Sequence, residues 1–461
     1  MSLIELVTTD IQQAIEHFEK FHRRFAHYFA TKTRTMAHRA KQYLQGQLQY
    51  ERWGNMVQFE KIVPDSDHQS LQHFASNSPW TDEPILDDVC QTVSERIGDA
   101  EHGSIHIDES GIPKQGDDSV GVCRQYCGRL GKVDNCQMGV FLGYTANNYR
   151  MLLDKRLYLP KEWILDGERR EKCGVPDDIE FHTKAQLGLE LIHKAQERDI
   201  PFGWIGMDSH YGQQEWLLAE LEGQKFLYIA DIPCDTRVWL ELPKTQIPSR
   251  KGNQGRKPTK LKAESQPTEV SRIVLNQSQW NRMYIRDTER GQLWSWLAFL
   301  RVYPARDELP GPETWLILRK DEGEKKLKYQ FCNAPSDTPL VRLAEMSHSR
   351  YWMERAMMLS QDAKGEAGLA DYELRSWRGW HHHMTMTILA MLFLLELQLD
   401  WKPKAPNLTI QDVREILEVI LPKREMTPDE ILKIIQQKHK ARLSARRSKH
   451  RKYEIKHRYL M

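Results

Sequence analysis

The sequence predicts an α/β protein: a mixed sheet-and-helix core, preceded by an all-helical segment and followed by short helices and a basic tail. Three observations predict it. Residues 103–235 alternate short β-rich runs with helical ones, which is the pattern of a sheet covered by helices. Residues 11–50 carry Phe18, Phe21, Phe25, Tyr28 and Phe29 at helical intervals. A long β-rich stretch between residues 236 and 343 then interrupts the alternation. The length of 461 residues fits about two to four domains, since single cores stop growing near ~250–300 residues.

In chain order, residues 1–98 read as helical. Their aromatic stripe is interleaved with Arg23, Arg24, Lys32 and Arg34, which makes an amphipathic bundle with a basic face. Residues 104–108, 120–124 and 137–144 have strand character, 183–197 is helical, 200–208 is a strand, 213–222 a helix and 226–232 a strand. Residues 249–268 are rich in Lys, Arg, Gly and Pro and read as an exposed basic loop. Residues 273–331 are strand-like. A helix follows from about Arg342, and another over 377–399 has apolar residues that pack it inward. Pro403 and Pro406 mark a linker. Two short helices, 410–421 and 428–437, come next, the second with Thr427 as N-cap. The expected units are residues 1–98, a core of 99–235 and 344–400, an insertion of 236–343, and a C-terminal unit of 401–461.

Composition excludes some classes. No window of about 20 uninterrupted apolar residues is present, and the run from Met384 to Leu397 contains Thr and Glu and reads as a buried helix. No basic segment followed by an apolar one opens the chain, so a cytoplasmic protein without membrane contact is expected. The net charge of +2 says little, but residues 438–461 hold ten Lys or Arg and one acid. Such a block is either a solvated helix face or a DNA contact. The seven Cys form no Cys-x-x-Cys pair, and Cys123, Cys127 and Cys136 lack a fourth ligand at zinc-finger spacing, so reduced thiols are expected.

Three acids carry the chemistry. Asp108 lies in Ser104-Ile-His-Ile-Asp-Glu-Ser-Gly, a strand running into a turn, with Glu109 as its neighbour and rival. Asp208 ends the apolar strand Trp204-Ile-Gly-Met. Glu354 lies in the helical stretch Arg350-Tyr-Trp-Met-Glu-Arg, with Glu366 as the competing third acid. Two strand-borne Asp and one helix-borne Glu suit a two-metal phosphoryl-transfer site, because Mg²⁺ takes hard oxygen ligands and leaves room for substrate phosphate. With the strand order, the acids fit a ribonuclease-H-like core.

The wording around these acids is specific. Residues Ile107-Asp-Glu-Ser-Gly-Ile-Pro-Lys-Gln-Gly and Ser119-Val-Gly-Val-Cys-Arg-Gln-Tyr-Cys-Gly-Arg-Leu-Gly resemble the first catalytic block of bacterial insertion-sequence DDE transposases. Tyr158-Leu-Pro-Lys-Glu-Trp, Gly174-Val-Pro and Met207-Asp-Ser-His-Tyr-Gly resemble the next blocks. Arg350-Tyr-Trp-Met-Glu-Arg-Ala, Lys364-Gly-Glu-Ala-Gly-Leu and Tyr372-Glu-Leu-Arg-Ser-Trp-Arg-Gly-Trp-His-His-His resemble the third. The resemblance covers most of the chain from about residue 20 onward. It implies a ribonuclease-H-like core with a β-rich insertion between the second Asp and the Glu. It implies DNA end cleavage and strand transfer with two Mg²⁺ ions, or Mn²⁺, held by Asp108, Asp208 and Glu354. Its partners would be double-stranded DNA, as terminal inverted repeats and target, and a second copy of the chain when DNA is bound. End recognition would lie in residues 1–98. Arg350 and Lys364 would contact DNA, as would Arg442, Arg446, Arg447, Lys449, Arg451 and Lys452 of the tail.

The chain also departs from that pattern. Lys364 follows Glu354 by ten residues where relatives have seven, and Ser347 stands where a Tyr is expected. Three extra helical residues rotate the chain beyond them by ~300° and advance it ~4.5 Å. A transposase-derived DNA-binding protein without catalysis is therefore the alternative, and a structure-selective nuclease a third. His381, His382 and His383 point ~100° apart on a helix and cannot share one ion. Trp294 and Trp296 share one strand face, either as core of the insertion or as a stacking platform for an unpaired base.

Overall fold

A computed structural model describes residues 6–30, 33–50, 54–249, 258–275, 279–288, 291–324, 326–357, 363, 366–371 and 373–458, with the backbone alone at 275, 288, 354, 355, 357, 433, 434, 437 and 452–458. The core sheet uses β1 (Ser104–Pro113), β2 (Cys123–Cys127), β3 (Lys132–Ala146), β4 (Tyr149–Leu157), β5 (Trp204–Met207) and β6 (Tyr228–Asp231). β1 lies between β3, antiparallel, and β5, parallel; β6 is parallel to β5, and β4 pairs with β3. The resulting order β4-β3-β1-β5-β6 is the ribonuclease-H-like arrangement, with β2 added on the other register of β3.

The long strand β3 joins β4 through Asn147 and Asn148, whose φ angles are 51° and 68°. Two consecutive left-handed residues make the tight hairpin turn whose twist matches the strands it joins, and Asn tolerates that conformation. β4 has no counterpart among the expected elements. The expected strand at 120–124 starts later, at Cys123, because Val120 and Val122 are buried in the preceding turn.

Helices cover both faces. The Lys184–Glu197 helix lays Gly188 against Ile107, where a Cβ would crowd the Ile methyl. On the other face, Gly143 of β3 admits Met353 of the Leu340–Met357 helix, and a Cβ there would overlap the Met353 sulfur. The Trp377–Trp401 helix lies on the same face over β4. It is long and apolar enough to cross a membrane by composition, yet most of it is buried inside the protein.

The N-terminal helices share this core. Phe18, Phe21, Phe25 and Phe29 are buried as their spacing predicts, and Phe393 of the Trp377–Trp401 helix meets Phe18 and Phe21 at ring distances of 5.4 and 5.2 Å. Burying each such ring contributes about 1.5–3 kcal/mol. Arg24 is tied to Glu396 at 2.9 Å, whereas Arg23 is exposed. The three consecutive histidines take three directions. His381 faces Asp82, His382 lies between the carbonyls of Ala75 and Trp80, and His383 meets the Tyr43 hydroxyl at 2.7 Å. All seven cysteines are unbridged, and Cys123 faces Cys136 across the β2–β3 pair.

The insertion supplies β7 (Arg237–Trp239), β8 (Thr245–Gln246), β9 (Lys262–Ala263), β10 (Thr268–Glu269), β11 (Asn281–Thr288), β12 (Gly291–Arg306), β13 (Leu309–Pro310), β14 (Thr314–Asp321) and β15 (Lys328–Cys332). β15 pairs antiparallel with β6, so the insertion prolongs the core sheet through β14 and β12. Residues 250–257 of the expected basic loop lie outside the described residues; β8 and β9 pair at its base. On β12, Ser295 and Leu297 face inward. Trp296 is therefore 39% exposed, and Trp294 lies under the Arg282 guanidinium at 4.3 Å. Of the two readings, insertion core does not fit Trp296, which points outward, while Trp294 is half-buried.

At the C-terminus the Ile410–Ile420 helix packs inward. The last expected helix does not stop at residue 437: Pro428–Arg458 is one helix that takes in the basic tail. Lys, Arg, Ala and Leu are good helix formers, and no Gly or Pro interrupts them. Thr427 caps it together with Glu430, the Thr427 amide donating to the Glu430 carboxylate at 2.9 Å.

Candidate active site

Strand register builds the site. Ile107 of β1 pairs with Met207 of β5, and Met207 pairs with Ala230 of β6. The next residues, Asp108, Asp208 and Asp231, therefore stand side by side on three parallel strands, one strand spacing (~4.8 Å) apart in turn. Open sheets gather ligands at such carboxyl ends. Asp108 sits in mid-strand opposite Phe141, and its Oδ1 accepts from the Glu109 amide at 2.7 Å. Asp208 ends β5 and caps the Ser209–Gly212 turn of helix, accepting from the amides of His210 and Tyr211 at 2.9 and 3.3 Å.

Arg350 closes the row from above. It projects from the Leu340–Met357 helix, donates to Asp231 Oδ2 at 2.9 Å and lies 3.9 Å from Asp108 Oδ2. Glu109 points to the other face of β1 and is paired with Lys184 at 2.9 Å. Burial pushes the Asp108 carboxyl up to about 7; Arg350 opposes the shift, and repulsion from Asp208 and Glu109 adds to it. Burial likewise raises Asp208, again against Arg350 and with Glu109 adding. Tyr211 is buried beside these acids. Its hydroxyl is raised well above its ordinary range by burial and then by Glu109, Asp108 and Asp208, and it has no hydrogen-bond partner among the described residues.

The donor set fits a divalent cation. Asp108 and Asp208 are hard oxygen donors, they repel each other, and one shared guanidinium leaves them under-neutralised. Hard carboxylates without thiolates select Mg²⁺ or Mn²⁺ over softer ions.

The other predicted residues are dispersed. Glu354 follows Arg350 by four residues on the same helix, so its backbone lies on the Arg350 face; its side chain is outside the described residues, as are Lys364 and residues 358–362 before it. The rival Glu366 is buried in an ion pair with Arg414 of the Ile410–Ile420 helix. Arg442, Arg446, Arg447, Lys449 and Arg451 are exposed along the last helix, remote in sequence from the cleft; the Lys452 side chain is outside the described residues. Sequence reasoning missed Asp231 and Tyr211. Yet Tyr228-Ile-Ala-Asp231 repeats the apolar-strand-then-acid wording of the other two sites, a signal that could have found the first of them.

Residues 24–292 match the family described as DDE superfamily endonuclease. The chain is also similar to a probable transposase for insertion sequence element IS701 from Microchaete diplosiphon, 26% identical over 332 residues, covering 69% of this chain and 72% of that protein. With more than half of its length matched, the chain belongs to the DDE superfamily of endonucleases.

Proposed function

We propose that the protein is an insertion-sequence transposase that binds the terminal inverted repeats of its element, cleaves the ends and joins them to target DNA. The observation that carries this reading is the pair Asp108 and Asp208, side by side on parallel strands with Arg350 over them. Asp108, on the central strand β1 between β3 and β5, would hold both of two Mg²⁺ or Mn²⁺ ions, Asp208 would complete one shell and Glu354 the other. Such ions stabilise the attacking and leaving oxygens of an in-line displacement at a phosphodiester. The chain's own residues orient these carboxylates: the ladder fixes Asp108, and the helix cap fixes Asp208. No protein nucleophile is required, because water attacks in cleavage and a DNA 3′-hydroxyl in joining.

In this reading residues 1–98 recognise the repeats, residues 99–235 and 344–400 carry the chemistry, residues 236–343 extend the sheet, and residues 401–461 bind DNA phosphates. Two ends are brought together by two copies of the chain. The test is incubation with duplexes carrying the element's ends and Mg²⁺. Nicking at the element boundary, then joining to a plasmid, is the expected result. Specific binding with no cleavage would favour a transposase-derived DNA-binding protein, and cleavage indifferent to the repeats a plain nuclease.

The tail makes a separate prediction. Its exposed Lys and Arg on one continuous helix suit phosphate contact and lack any base-reading pattern. Replacing Arg442, Arg446, Arg447 and Lys449 by Ala is expected to weaken binding to all duplexes. It should also flatten the plot of log affinity against log salt by about 0.9 for each phosphate that the tail ceases to neutralise. The preference for repeat over scrambled DNA should persist. Selective loss of repeat binding would move recognition to the tail.

A further inference from the structure

We propose that Asp231 is a positioning residue for Arg350: it holds the guanidinium off Asp108 and so keeps Asp108 open to cations. This rests on the reading of the cleft as a divalent-ion site.

The distances carry the argument. Arg350 makes a charge-assisted hydrogen bond to Asp231 at 2.9 Å, whereas its approach to Asp108, at 3.9 Å, is too long for one. Both Asp231 oxygens are engaged, Oδ2 by Arg350 and Oδ1 by the Gln330 amide at 2.7 Å. An acid so occupied is held in place by a donor on each oxygen.

The anchor is itself braced. Gln330, on β15, accepts from the Ser347 hydroxyl and donates to the Ser347 carbonyl at 3.2 Å, and Arg319 of β14 reaches the same carbonyl. Ser347 and Arg350 are three residues apart on one helix. The chain of bonds therefore leaves the helix at Ser347, crosses the insertion's last strand and the end of β6, and returns at Arg350. This also explains the small residue at 347: the site is fully buried, and its hydroxyl serves Gln330. The insertion thus reaches the cleft through Gln330. Without the Asp231 charge, Arg350 has Asp108 close by to collapse on, in competition with a cation.

The experiment is a double-mutant cycle on the full chain with Asp231→Asn, Arg350→Ala and both together. Mn²⁺ binding is read by calorimetry, and single-turnover cleavage of an end duplex is followed at several Mg²⁺ concentrations. Asp231→Asn is expected to weaken Mn²⁺ binding and to slow cleavage at low Mg²⁺ by roughly ten- to a hundredfold. In the Arg350→Ala background the same change should alter neither by more than about twofold, because the residue through which it acts is gone. Full effects of Asp231→Asn in that background would overturn the proposal, making Asp231 a ligand or a purely structural acid. Gln330→Met should shift both readouts in the same direction by less. Failure of Asp231→Asn and Asp231→Ser to fold would also overturn it, assigning Asp231 to stability. Absence of cleavage by the unaltered protein would instead sink the reading of the cleft, and the Mn²⁺ cycle would still judge Asp231.

Discussion

Asp108→Asn is expected to abolish Mg²⁺-dependent cleavage of element ends, by about 10³-fold or more, while leaving duplex affinity nearly unchanged. The amide keeps the shape of the side chain but removes the charge that Asp108, as the proposed bridging ligand, would supply. Several kcal/mol of charge stabilisation at the reacting phosphate depend on it. Gel-shift and single-turnover cleavage assays on one preparation separate the two effects, and equal loss of binding and cleavage would show structural damage instead.

The same substitution carries a pH signature in the metal-free protein. Burial holds the Asp108 carboxyl up at about 7, against an unfolded value of about 3.9. A carboxyl raised on folding costs stability once it must ionise in the folded state. That cost is absent below the unfolded value, grows as pH rises between the two, and is complete above about 7. Asp108→Asn should therefore raise the melting temperature at pH 8 with chelator present and leave it unchanged at pH 4. Cation affinity of the native protein should fall as pH drops through about 7, since the ion must displace a proton. A variant that melts at the same temperature as the native protein at pH 8 would contradict the electrostatic account of the cleft.

Asp82→Asn is expected to give the largest loss of stability. Lys155, on β4, is 1% exposed and is paired with Asp82 at the start of the Glu83–Ile97 helix, with His381 against the same carboxylate oxygen. Removing one partner of a buried pair strands the other charge, at a cost of about 3–5 kcal/mol. Urea unfolding at pH 7 measures it, and a loss below about 1 kcal/mol would mean that water or another acid reaches Lys155. Replacing both residues, with Lys155→Met added, should recover most of the loss, because no charge is then left buried. Burial alone would raise Asp82, yet Lys155 and His381 hold it well below the usual carboxylate range. The pair's contribution is accordingly complete above the unfolded carboxylate value, about 3.9, and is lost only as pH falls below it.

Much of the architecture was legible locally. The Phe18–Phe21–Phe25–Phe29 stripe marks its own buried face because a helix repeats every 3.6 residues. Thr427 with Glu430 announces a helix start through two short-range hydrogen bonds. Asp108 and Asp208 stand out because each ends or interrupts an apolar strand run, where a buried acid has a cost and therefore a reason. These features depend on neighbours within a few residues, and the amino-acid order by itself determined them.

Tertiary structure decided the rest. Asp231 becomes part of the cleft only when β6 pairs with β5 in one register; a shift of one residue would turn it to the other face. Arg350 could have been read as a surface cation, and only packing of its helix over β1 and β5 places it between two acids. Trp294 and Trp296 carry the same alternation whether they face core or solvent, so the side that β12 presents settles their exposure. The strand Tyr149–Leu157 is stabilised by pairing with β3, and the insertion's edge is satisfied by β6. Pair registers, helix-to-sheet contacts and shared ion partners join residues that are far apart in the chain, and their energies exist only once the fold has brought them together.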